Sequence, residues 1–104
     1  MTTERIARLA RQANAHTPQL VSHDRYGRRI DLVEYHPAYH DLMTEAFGRG
    51  LHSLAWTAAG PGAFSARAAL CYLWNQAENG TACPMTMSFA AREVLQADPS
   101  LAAE

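Results

Sequence analysis

The residues best suited to chemistry in this chain are five histidines, two cysteines and a set of arginines. His36 and His40 stand four apart. On a helix that spacing puts both imidazoles on one face and makes half of a zinc site, with His52 as a third candidate ligand. The glutamate that a helical metalloprotease places between its histidines is missing, however, and Pro37 lies inside the spacing. His36 therefore reads as a hydrogen-bonding residue at a helix start, and His40 as facing solvent or a polar partner. His23-Asp24 and His40-Asp41 are dipeptides of the kind used by helical metal-dependent phosphohydrolases, but Asp24 is already explained by a turn.

Cys71 and Cys83 are not spaced as a CxxC pair, and two thiols need histidines to complete a four-ligand zinc site. Cys71 falls in the most apolar helix, where a thiolate is disfavoured. Cys83 precedes a proline at a helix start, where the dipole favours one. Both are expected to be reduced, buried and structural, which suits a cytoplasmic protein. All nine basic residues are arginine, so Schiff-base and P-loop chemistry, which require a lysine amine, are excluded. Arg25, Arg28 and Arg29 gather around a turn and read as a solvated edge. Gly60-Pro61-Gly62 lacks the preceding strand of a phosphate-cradling loop. Met85, Thr86 and Met87 open the last helix, where methionines commonly fill core.

These residues need elements to hold them. With 104 residues, 48% hydrophobic and 18% charged, the chain has the balance of one globular domain, not of a disordered tail. The formal net charge of −1 supplies no field toward nucleic acid or an anionic membrane. No apolar run reaches the ~18 residues of a spanning helix, and no signal segment opens the chain.

A first helix, capped by Thr2 or Thr3, follows from Ile6, Leu9, Ala10 and Ala13 at helical spacing, and Pro18 ends it. Asp24-Arg25-Tyr26-Gly27 is a turn between Leu20-Val21 and Ile30 to Val33, which predicts a two-stranded ribbon. Such a ribbon is marginal in water and must lie on the helices or on something outside the chain. Pro37 starts a helix with a Tyr39, Leu42, Met43, Ala46, Phe47 stripe. Leu51 to Trp56 makes a short apolar stretch. The longest helix is predicted over 63–79, with Gly80 ending it, and the last over 84–96, with Met87, Ala90, Ala91, Val94 and Leu95 as its apolar face and Asp98-Pro99 as its stop. The fold class is mainly α: four or five helices with one short β-ribbon. The centre of the long helix, Ala66 to Trp74, is apolar on nearly every side apart from Arg67, more surface than its neighbours can cover.

Three stretches together carry a resemblance. They are Tyr26 to Asp31 with Tyr35 to His40, Gly62 to Ala69, and Gly80 to Ala90 with its Cys-Pro-Met-Thr-Met-Ser-Phe-Ala string. In this order and spacing the chain resembles, over nearly its whole length, the amino-terminal helical domain of AidB-type flavoproteins, the alkylation-response branch of the acyl-CoA dehydrogenase family. The resemblance implies a larger, often tetrameric protein with FAD between a middle β domain and a last helical domain. It implies a catalytic carboxylate and a DNA-binding surface in that last domain, outside this segment. It implies that the segment is cut at its amino side, binds no FAD by itself, does not contact DNA and flanks the acyl-substrate cavity. Leu73, Gln76, Met85 and Thr86 are the expected lining residues; no catalytic, cofactor-binding or metal-binding residue is assigned. The alternatives are a stand-alone helical module that self-associates or docks on a flavoprotein, and a metallohydrolase built on His36, His40 and His52.

Overall fold

The computed structural model describes residues 3–98, 100 and 101. Its elements run α1 (Thr3–Ala15), β1 (Gln19–His23), β2 (Arg29–Glu34), α2 (Pro37–Gly48), α3 (Leu54–Thr57), α4 (Ala63–Ala77) and α5 (Ala82–Gln96). The chain is mainly helical with one antiparallel ribbon, in agreement with the residue pattern. Among the described residues, no helix is long and apolar enough to cross a membrane. The chain divides into two compact units, Met1–Met43 and Thr44–Glu104.

In the first unit, α1 buries Ile6, Leu9 and Ala10 and exposes Glu4, Arg8 and Arg11. This is the amphipathic division expected of a surface helix. Glu4 lies in the first turn, where a negative charge suits the helix dipole. Thr3 is the first helical residue, and a cap from Thr2 lies outside the described residues. In the last turn the Asn14 amide donates to the Ala10 carbonyl. His16 N–H donates to the Gln12 carbonyl, so carbonyls that end a helix without partners are engaged.

The ribbon turns on Asp24. Its Oδ1 accepts from Tyr26 N–H at 2.8 Å and Arg28 N–H at 2.9 Å. Gly27 takes a φ of 78°, which glycine adopts without steric cost. Leu20 pairs with Val33 and Val21 with Leu32, but His23 pairs with Arg29, so β2 carries one residue more than β1 in this stretch. Asp31 absorbs the bulge at a φ of 45°, a conformation that Asp tolerates better than most residues. Neither face of the ribbon is covered: Leu20, Ile30, Leu32 and Val33 are all exposed. Of the two expected settings, on the helices or on something outside the chain, this exposure favours the second.

Pro37 occupies the first position of α2, where its missing N–H costs nothing. Ala38, Leu42 and Ala46 are buried, Tyr39 and Met43 are half-buried, and Phe47 is exposed.

In the second unit, Leu51 and Ala55 are buried beside α4, whose half-buried to buried stripe is Ala63, Arg67, Leu70, Trp74 and Ala77. Burying one large side chain such as Trp74 contributes about 1.5–3 kcal/mol. The opposite side of α4, with Phe64, Tyr72 and Leu73, is exposed. The long helix is therefore not buried all round; one stripe is covered and the remainder faces outward. It also ends earlier than predicted, at Ala77 and not at Asn79, while α5 begins earlier, at Ala82 and not at Pro84. Both shifts have one cause, the side chain of Glu78, considered below. Pro99 lies outside the described residues; Asp98 Oδ1 accepts from Ser100 N–H and Oγ–H after the end of α5.

Replacing Asp24 by Ala removes both side-chain acceptor bonds of the turn. Hydrogen exchange should show Tyr26 and Arg28 amides opening about fivefold faster, for a loss of about 1 kcal/mol, with α4 amides unchanged.

Candidate functional site

The turn between α4 and α5 is organised by one buried carboxylate. Glu78 is only 8% exposed and Thr81 only 3%. Glu78 has left helical geometry, with φ −156° and ψ 123°, and its side chain turns toward the start of α5. Oε1 accepts from Gly80 N–H at 2.7 Å and Oε2 from Thr81 N–H at 2.6 Å. Oε2 also accepts from the Thr81 hydroxyl. That hydroxyl in turn accepts from the Trp74 indole N–H at 3.0 Å. An anion here is favoured twice, by charge-assisted hydrogen bonds and by the positive end of the α5 dipole. A Cβ at position 80 would stand 3.0 Å from Glu78 Oε1, so a side chain there would make the carboxylate give by a few tenths of an ångström. Pro84 falls within the first turn of α5, where no intrahelical bond needs its nitrogen.

A second cluster sets which side of α5 faces inward. The Trp56 and Phe89 rings stack at 4.8 Å and 19°, and Phe64 meets Trp56 edge-on at 5.1 Å. The Trp56 indole donates to the Phe89 carbonyl at 3.2 Å. The Arg67 guanidinium lies 3.5 Å over the Phe89 ring, and that of Arg92 lies 4.5 Å over Trp56. Arg67 Nε also donates to the Leu51 carbonyl at 3.0 Å. Cations over aromatic faces are stabilised by the ring quadrupole, the more so where water is thinned.

This cluster lies on the side of α5 away from the apolar face read from the sequence. The covered side of α5 is Ala82, Met85, Phe89 and Arg92. The more apolar stripe, Met87, Ala90, Ala91, Val94 and Leu95, is exposed throughout, with Val94 at 73%. Arg67, read from sequence as the exception on an apolar helix, points inward.

Of the expected lining residues, Leu73, Gln76 and Thr86 are exposed around the α4–α5 turn. Met85 is instead 1% exposed and fills the core. The thiols do not share the burial expected of them: Cys83 is exposed and Cys71 half-buried, and both are free. His36 Nδ1 accepts from Ala38 N–H at the start of α2 at 3.1 Å, the hydrogen-bonding role expected of it. Among the described residues, no three His, Cys, Asp or Glu side chains converge as a metal site. Glu78 and Thr81 were not singled out in the sequence. The available signal is Glu-Asn-Gly-Thr at the seam between two helical patterns.

The arrangement builds a corner in which the Glu78 carboxylate accepts three hydrogen bonds from Gly80 and Thr81. Trp74, Glu78 and Thr81 thus bond one another, while His52 Nδ1 and one Arg67 guanidinium nitrogen are buried without a hydrogen-bond partner among the described residues.

Replacing Glu78 by Gln leaves one acceptor oxygen where the carboxylate has two. Chemical denaturation should show a loss of about 1–3 kcal/mol. Thr81→Val strands the Trp74 indole N–H and should cost a similar amount, about 1–3 kcal/mol, with altered tryptophan fluorescence. Arg67→Lys cannot both lie flat on Phe89 and reach the Leu51 carbonyl, and should cost about 1–2 kcal/mol.

Two comparisons bear on this corner and the helices that form it. Residues 1–104 match the family described as "Adaptive response protein AidB N-terminal domain". The chain is also 48% identical over 88 residues to the Escherichia coli (strain K12) protein named "Putative acyl-CoA dehydrogenase AidB". That alignment covers 84% of this chain and 16% of the E. coli protein, so the chain spans a small part of its relative's length. On both the whole-length match and the level of identity, the chain belongs to the AidB amino-terminal domain family.

Proposed function

We propose that this chain is the amino-terminal helical wall of a flavin-dependent, acyl-CoA dehydrogenase-like protein. In this reading the end of α4 and the start of α5 stand beside an acyl-substrate cavity. Leu73, Gln76 and Thr86 face it, while Met85 supports them from the core. The observation that carries the reading is the exposure of the apolar stripe of α5, Met87, Ala90, Ala91, Val94 and Leu95, and of Leu73 on α4. Exposed apolar side chains in this number suit packing against further protein or an acyl chain. The relative's printed name supplies the acyl-CoA class, and its greater length leaves room for a catalytic base and a flavin site in the remainder of such a protein.

The same reading assigns the remaining partners. Other domains or subunits of the flavoprotein cover the α5 stripe and the ribbon in a homo-oligomer. Any DNA contact of such a protein lies elsewhere, as the formal charge of −1 offers this segment no electrostatic grip. A cytoplasmic setting suits the two free thiols.

The test is a chimera in which this chain replaces the matching segment of the E. coli protein. It should load flavin, and Leu73→Asp within it should raise KM for long acyl-CoA substrates about tenfold without reducing flavin content. The 104-residue chain alone, purified with added FAD, should be colourless and unable to reduce a dye with acyl-CoA. A flavin band on the isolated chain, or a flavin-loaded chimera indifferent to Leu73→Asp, would sink the reading.

A further inference from the structure

The first unit contains a pair of histidines whose hydrogen bonds require particular protonation states. The His16 and His36 rings stack at 4.6 Å with an angle of 21° between them. His16 follows the last turn of α1, and His36 immediately precedes α2. The stack therefore ties the end of one helix to the start of the next.

The two rings make opposite demands. His16 Nδ1 lies 2.9 Å from the Gln12 carbonyl oxygen. A carbonyl can only accept, so that nitrogen carries a proton. His36 Nδ1 lies 3.1 Å from the Ala38 amide nitrogen, whose N–H can only donate, so Nδ1 of His36 carries none. His36 must then be neutral, with its proton on Nε2. A second proton on His16 keeps its bond to Gln12 and sits at the negative end of α1. A second proton on His36 must go on Nδ1, where it meets the Ala38 N–H head-on at the positive end of α2. It also sets an imidazolium face to face with the His16 ring.

We infer that His36 is an acid-released fastener: the neutral ring caps α2 and holds the stack on His16, and protonation breaks both. The titratable ring shown against His36 is His16 from α1. On its own side of the joint, Tyr35 stacks on Tyr39 at 4.3 Å, and His40 meets both edge-on. Those groups turn toward one another. The sign follows from the neutral requirement: the cap is present at higher pH and is lost as pH falls through the titration of His36.

Nitrogen-detected NMR of the 104-residue chain tests this directly. At pH 8 His36 should be the Nε2–H tautomer and His16 should be protonated at Nδ1. Between pH 8 and pH 5 the Ala38 amide should lose protection about five- to tenfold, after correction for its intrinsic exchange rate, which is the effect of losing a helix cap. In His36→Asn, which caps without titrating, Ala38 protection should stay level across that range. An Nδ1–H tautomer at His36, Ala38 protection that does not change with pH in the native chain, or an unaltered pH dependence in His36→Asn would each overturn the proposal.

Discussion

One carboxylate directs the course of the second half of this chain. Glu78 ends α4 by abandoning helical geometry, and its oxygens collect the Gly80 and Thr81 amides just before α5. The result is a hydrogen-bond chain from the Trp74 indole through the Thr81 hydroxyl to Glu78. The hydroxyl accepts once and donates once, and a buried polar network of this kind rigidifies only when each member is satisfied. The end of α4, the Gly80 and Thr81 amides and the Trp74 indole are all joined through that one carboxylate.

The rotation of α5 about its own axis is a separate decision, made by flat groups. Trp56 and Phe89 stack, and each ring carries an arginine over it. Arginine can do this because its guanidinium is planar and weakly hydrated, and a lysine ammonium in the same place would hold its water. A chain whose nine basic residues are all arginine is suited to such packing. The consequence is unusual for a helix. Its covered side includes a charged residue, and its most apolar stripe is left for something else to cover.

The functional reading grows from these two facts. The buried carboxylate holds a corner through three hydrogen bonds from Gly80 and Thr81. What the corner presents outward is apolar surface on α4 and α5. In a family whose E. coli member is about six times as long as the stretch aligned here, a rigid corner with an outward apolar face is what a wall requires.

Much of the architecture could be read directly from residue order. Periodicity located α1, α2 and the long fourth helix. Asp24 to Gly27 marked the ribbon turn, Pro37 the start of α2, and the Cys-Pro-Met-Thr-Met-Ser-Phe-Ala string pointed to the family. These features are local, or lie within a few residues of one another, so a linear reading captures them. The exposed side of α5, the inward turn of Arg67 and the clasp at Glu78 depended on the tertiary structure. Hydrophobic periodicity assumes that the greasiest stripe turns inward. Here an indole hydrogen bond across 33 residues and two cation–aromatic contacts outweigh it, and such partners become visible only once the helices have been brought together.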